Sequence, residues 1–154
     1  MMMEQAEITT VELPRFGEIA YAENDVMVFP WGLPGFADLH RWLILSLESQ
    51  PAYVWIQSLD DPKVALPAAD PWAVFEHYDP KLPSYAFVAL EIAEAADFTL
   101  LCVVVVKPGA EEMTMNLMAP IVVNLKTRRA RQVVLDGSNY SVKEAIPRKA
   151  AEPA

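Results

Sequence analysis

The carboxylates Asp60-Asp61, directly before Pro62, and Asp70, directly before Pro71, are the groups in this chain with the clearest chemical potential. Paired carboxylates divide acid and base work when their surroundings push their pKa values apart. Asp before Pro is equally an ordinary turn initiator, so a catalytic and a structural reading both stand. His40 and His77 are isolated, with no HxH, HExxH or CxxC neighbour from which three or four metal ligands could be gathered. The glycines at 17, 32, 35, 109 and 137 match neither a dinucleotide fingerprint nor a phosphate-binding loop. Ser46, Ser49, Ser58 and Ser84 lack the context of a nucleophile elbow. The expectation is a protein that is not an enzyme and carries no cofactor or metal. A small β-barrel enzyme or ligand-binding domain, using Asp60, Asp61 or Asp70 beside an apolar cavity, is the alternative.

Asn116 and Asn124 lie in otherwise apolar strands, where an unpartnered amide costs roughly 1–3 kcal/mol. Each either makes a structural hydrogen bond, one of them pinning the irregularity at Ala119-Pro120, or contacts a ligand. Cys102, inside the run Leu100-Leu101-Cys102-Val103-Val104-Val105-Val106, reads as a small packed hydrophobe, and a lone cysteine excludes an internal disulfide. Charge is uneven: residues 1–112 hold 18 acidic and 5 basic side chains, a balance of −13, whereas residues 113–154 hold 3 and 7, a balance of +4. An acidic domain repels nucleic acid phosphates and attracts basic partners. The cluster Lys126, Arg128, Arg129 and Arg131 reads as a solvated turn between strands or, alternatively, as a weak RNA contact.

The stretch Val28-Phe29-Pro30-Trp31-Gly32-Leu33-Pro34-Gly35-Phe36 sets large apolar groups on a backbone that cannot be regular. Pro30 and Pro34 each remove a donor and fix φ, and Gly32 and Gly35 admit φ values closed to other residues. The segment is a stiff loop. Phe29, Trp31, Leu33 and Phe36 are either a core plug beneath it or anchors for a partner, with Phe36 expected mostly in the core and Leu33 and Trp31 more exposed.

These groups must be positioned by strands. Apolar runs rich in Val, Ile, Phe, Tyr and Trp recur at 8–13, 19–21, 26–29, 42–47, 53–59, 64–68, 85–92, 98–106, 113–117, 121–125 and 132–135, punctuated by Pro, Gly or Asp. Helical signals are confined to 91–96 and a turn or two over 36–43. Lys107-Pro108-Gly109-Ala110 carries type II turn chemistry and should reverse 98–106 into 113–117, which places Met113, Met115 and Leu117 on one face. Asp136-Gly137 should likewise reverse 132–135 toward 140–142. The expected fold is mainly β: a compact antiparallel β-barrel-like or sandwich domain over 1–147 with few short helices, and a disordered tail over 148–154. At 154 residues roughly 70% of the unfolded chain's surface can be buried in one domain. The longest apolar run, nine residues, is far short of the about 20 that a membrane span needs, and the N-terminus has no secretory pattern. A cytoplasmic protein without a membrane is expected.

Four separated motifs, in order and in register from about Val11 to Pro147, resemble the FliW family of flagellar assembly factors. They are Phe29-Pro30-Trp31-Gly32-Leu33-Pro34-Gly35-Phe36, then Trp55-Ile56-Gln57-Ser58-Leu59-Asp60-Asp61-Pro62, then Asp70-Pro71, and finally 113–125, Met-Thr-Met-Asn-Leu-Met-Ala-Pro-Ile-Val-Val-Asn-Leu. Two departures are Trp31, where a polar residue is expected, and the Ala-rich tail from Ala150. The resemblance implies a β-barrel-like, non-catalytic regulator. It implies binding of the translational repressor CsrA, a small basic RNA-binding dimer, and of newly made flagellin, so that flagellin level feeds back on its own translation. On this reading Phe29, Trp31, Leu33, Pro34, Phe36, Asp60, Asp61, Asp70, Asn116 and Asn124 are the partner-binding candidates. The chain alone is expected to be monomeric and not to bind nucleic acid directly.

Overall fold

A computed structural model describes residues 7–46, 49–107 and 112–147. Along it run strands β1 (Ile8–Leu13), β2 (Gly17–Ala22), β3 (Val26–Val28), β4 (Arg41–Ser46), β5 (Tyr53–Ser58) and β6 (Ala65–Ala69). Two short helices follow, α1 (Pro71–Val74) and α2 (Ser84–Ala89). The chain then continues as β7 (Phe98–Val106), β8 (Met113–Met115), β9 (Ile121–Asn124), β10 (Ala130–Gln132) and β11 (Glu144–Ala145). All regular pairings between these strands are antiparallel. β1 and β2 form their own ribbon, and the main sheet follows the order β10-β9-β7-β6-β5-β4-β3, with β8 and β11 branching from β7. The expectation of a mainly β antiparallel domain with few helices holds.

The path is open by regular pairing, but its ends touch. Val28, at the end of β3, forms a single parallel bridge with Arg129, just before β10. The sheet is thus curled until its first and last strands meet at one point.

β7 explains how the chain fills both faces of this sheet. Side chains alternate across a strand, and Leu100, Cys102 and Val104 enter one core cluster with Tyr53, Met115 and Val122. Leu101 and Val103 pack against a second cluster built on Met27, Phe29, Trp42, Ile56 and Val123. A central strand buried on both sides needs an unbroken apolar run, which is why its bounds were legible in the sequence.

Several expectations give way here. Residues 85–92 are not a strand. Pro83 precedes α2 with φ −68° and ψ 147°, an extended entry from which a helix starts. Ala86 and Leu90, four apart, are buried, while Val88, which strand alternation would place with them, is 77% exposed. The helical reading of 91–96 also fails: the chain leaves α2 through Glu91 at φ 56°, and only a 3-10 turn, Ala95–Asp97, follows. Residues 140–142 do not pair back on 132–135. The final segment crosses instead to β8, where Glu144 pairs with Met115 and Ala145 with Thr114, because Ile146 completes the cluster around Met115. The antiparallel pairing of β7 with β8 agrees with the expected reversal. Residues 108–110 of its turn, and the tail 148–154, lie outside the described residues.

Candidate functional site

The loop between β3 and β4, residues 29–40, and the loop between β5 and β6, residues 59–64, meet at one end of the sheet. The first is nailed down by its aromatics. Phe29 is 0% exposed and meets Trp42 edge-on with ring centroids 6.0 Å apart; Phe36 meets the same indole at 6.3 Å. Leu33 and Phe36 exchange main-chain hydrogen bonds of 3.3 and 2.7 Å, closing a tight turn over Pro34-Gly35 with Gly35 at φ 84°. Proline followed by a glycine at positive φ is what a type II turn requires. Gly32, at φ 65°, is constrained for a second reason: a Cβ there would lie 2.6 Å from the carbonyl oxygens of Phe36 and Ala37.

The second loop is locked from beneath and from the side. Gln57, fully buried, donates through Nε2 to the carbonyls of Ser58 and Pro62 at 2.8 and 3.0 Å. The Asp61 N–H donates to Ser58 Oγ, and Asp61 Oδ1 accepts from the Lys63 N–H at 3.1 Å, the local bond that makes Asp a turn residue. Asp60 Oδ2 accepts the N–H groups of both His40 and Arg41, at 2.6 and 3.1 Å, and so clamps the two loops together. Arg41 extends the clamp with a two-pronged ion pair to Glu23.

The partner-binding candidates therefore sort by burial. Trp31, 48% exposed, stays at the surface with Pro34, Asp60 and the neighbouring Asp38, while Phe36 and Asp61 are half-buried. Phe29 and Leu33, at 0% and 3%, are inside the core, so the expectation of an exposed Leu33 is corrected: its bond pair with Phe36 turns it inward. Asp70 lies at the far end of β6 from Asp61. There its Oδ1 accepts the Trp72 N–H at 2.9 Å and caps α1, which begins with Pro71. Asn116 Oδ1 accepts from the Ala119 N–H at 3.1 Å, holding the irregular segment before Pro120. Asn124 is 2% exposed; it donates to the Leu90 carbonyl at 2.7 Å and accepts from Lys126 and Thr127, so it is a structural hub and no surface contact.

The acid–base candidates do not all come together here. The five-residue strand β6 separates Asp61 from Asp70 by roughly 16 Å at about 3.3 Å per residue, too far for an acid and base pair on one small bond. Among the described residues no three His, Cys, Asp or Glu gather as a metal site. Cys102 is buried, and that burial pushes its thiol up to about 12, against the direction a nucleophile needs. Sequence reasoning missed Tyr85, which it placed on a strand, and saw Arg131 only as a member of a charged turn. The Arg131 guanidinium lies over the Trp31 ring at 4.5 Å and over the Tyr85 ring at 5.1 Å.

Comparisons of sequence and of fold with known proteins agree with one another. The FliW protein family model matches residues 10–146. The chain is 38% identical over 133 residues to the flagellar assembly factor FliW of Pseudothermotoga lettingae, covering 86% of this chain and 85% of that protein. It is 34% identical to the flagellar assembly factor FliW of Thermosipho africanus, covering 86% and 92%. A crystal structure of the flagellar assembly factor FliW superposes with a TM-score of 0.83 at 29% identity, over 92% of this chain and 99% of that one.

Proposed function

The chain belongs to the FliW family, and on that premise we propose that it is a non-catalytic cytoplasmic regulator that binds the translational repressor CsrA and flagellin. Its role is in flagellum assembly. Binding to the repressor relieves repression of flagellin translation; binding to flagellin withdraws the regulator, and translation follows assembly.

The observation that carries this reading is the clamped pair of loops. Asp60 ties residues 29–40 to residues 59–64 through the N–H groups of His40 and Arg41, and the rim so formed presents Trp31, Pro34, Asp38 and Asp60 on a frame that does not have to be ordered on binding. Preorganisation lowers the entropic cost of association. The carboxylates suit a basic partner, in keeping with the balance of −13 over residues 1–112. No helix among the described residues is long and apolar enough to cross a membrane.

The test is direct mixing of the purified chain with purified CsrA and, separately, with purified flagellin, followed by size-exclusion chromatography with light scattering. A stable complex with each is expected, with flagellin displacing CsrA. Failure to form either complex overturns the proposal.

A further inference from the structure

We infer that Arg131, Trp31 and Tyr85 form a second docking point, adjoining the acidic rim through Trp31, that takes an acidic segment of a protein partner. A side-chain carboxylate of that segment would sit on the guanidinium edge, with an apolar neighbour against the two rings. The three residues come from distant parts of the chain: the loop after β3, the first turn of α2, and β10. The fold holds each in place. Trp31 lies between the buried Phe29 and Leu33 and beside Gly32, where an added Cβ would meet backbone at 2.6 Å; Arg131 is in register with Val122 of β9.

The guanidinium centre lies over two aromatic rings, 4.5 Å from that of Trp31 and 5.1 Å from that of Tyr85. Among the described residues no carboxylate pairs with its charge. Among the described residues the ion pairs are Arg41 with Glu23, His77 with Glu76, Lys81 with Asp79 and Lys126 with Asp97, and no hydrogen bond from the Arg131 side chain is present. A guanidinium held against rings and making no hydrogen bond has its planar fork of N–H donors to offer, the group that receives a carboxylate on two parallel hydrogen bonds.

Two further facts favour an acidic peptide. Trp31 and Tyr85 remain 48% and 47% exposed, and exposed Trp, Tyr and Arg held rigidly together are the residue types in which binding energy concentrates. Arg131 also lies in the basic part of the sequence: residues 113–154 balance at +4 whereas the whole chain stands at −9. A single carboxylate responds to the charge within about a Debye length, roughly 8–10 Å. A nucleic acid strand extends its phosphates over the acidic remainder and is repelled.

The experiment follows the Trp31 indole and Arg131 side-chain N–H signals by NMR during titration with a short peptide of alternating Asp and Leu, its termini acetylated and amidated. Saturable shifts of both signals are expected. The same peptide with Asn for Asp should leave them in place, which tests the carboxylate without altering the protein. Arg131→Gln should weaken binding on the order of tenfold with an unchanged melting temperature, and Arg131→Lys should restore only part, having charge without the fork. No shift, equal shifts with the Asn peptide, or undiminished binding by Arg131→Gln would overturn the inference. So would a stronger response to oligouridylate, or shifts that depend on protein concentration without peptide, which would assign the patch to RNA or to a second copy.

Discussion

The N–H of Val28 donates to the carbonyl of Arg128 at 2.8 Å, and this bond draws the first strand of the main sheet against the turn that leads into its last. Arg128 accepts it from φ 63°, a conformation unusual for a side-chain-bearing residue, and its Nη2 donates to the Asp25 carbonyl at 3.3 Å. The seam fixes where β10 lies relative to the loop after β3, and therefore fixes Arg131 relative to Trp31.

Breaking that seam should loosen both. Val28→Pro removes the donor and strands the Arg128 carbonyl, at an expected cost of about 1–3 kcal/mol in urea unfolding. Amide exchange at Val123 and Ala130, which pair beside the seam, should accelerate before exchange in β5 and β6 does. Uniform acceleration throughout the sheet would show that the seam has no local role.

Gly32 and Gly35 make a controlled comparison. Both have positive φ, but an added Cβ at Gly35 meets nothing within 4 Å, whereas at Gly32 it meets backbone at 2.6 Å. Gly35→Ala should cost about 1 kcal/mol of stability from conformational strain alone. Gly32→Ala should cost clearly more, about 2–4 kcal/mol, and should weaken partner binding as the loop shifts. Melting temperatures of the two variants decide it.

Alkaline pH should expose the buried thiol. Cys102 in the folded protein holds its proton until about 12, while in the unfolded chain it ionises near 9.0. Between those values the unfolded state binds fewer protons, so stability falls as pH rises, by up to roughly 1.4 kcal/mol per pH unit. The buried Tyr78 phenol, raised chiefly by desolvation, adds loss of the same sign. Cys102→Ala should give a shallower decline above about pH 9, measured as urea midpoints. Identical slopes would mean that the thiol is accessible in the fold.

Binding to a basic partner should depend on salt through its on-rate. Asp38 and Asp60 sit exposed on the rim, and the Debye length falls from over 10 Å to a few Å between roughly 50 and 500 mM salt. Stopped-flow association should slow over that range while dissociation changes less. A salt-independent on-rate would remove the steering argument.

How much of this was legible in the sequence depended on whether a signal was local. β7 was read to the residue because a strand covered on both faces along most of its length is almost wholly apolar, and the turn-start reading of Asp70-Pro71, one of the two carried, was visible because its capping bond spans two residues. α2 was misread because Tyr85, Phe87 and Val88 have strand-forming side chains; the burial of Ala86 and Leu90 that selects the helix comes from the sheet beneath. The crossing of β11 to β8 and the meeting of Trp31 with Arg131 were invisible for the same reason. They join residues 29 and 100 positions apart, and no periodicity reports such a pairing.

Truncating the loop aromatics separates anchoring from recognition. Phe36 packs on Trp42 and Leu33 is 3% exposed, so Phe36→Ala and Leu33→Ala should open cavities and cost about 2–5 kcal/mol of folding stability. Trp31 stacks with Arg131 and is half exposed, so Trp31→Ala should cost no more than about 1 kcal/mol of stability, the range of an exposed cation–π contact. Its effect should fall on partner affinity, on the order of 2 kcal/mol or about 30-fold, if the rim is the contact surface. The measurement pairs thermal melts with affinities taken well below the lowest melting temperature, so that loss of binding is not loss of fold. Affinity unchanged in all three variants under those conditions would remove the loop from the interface and leave it as a core plug that happens to expose one indole.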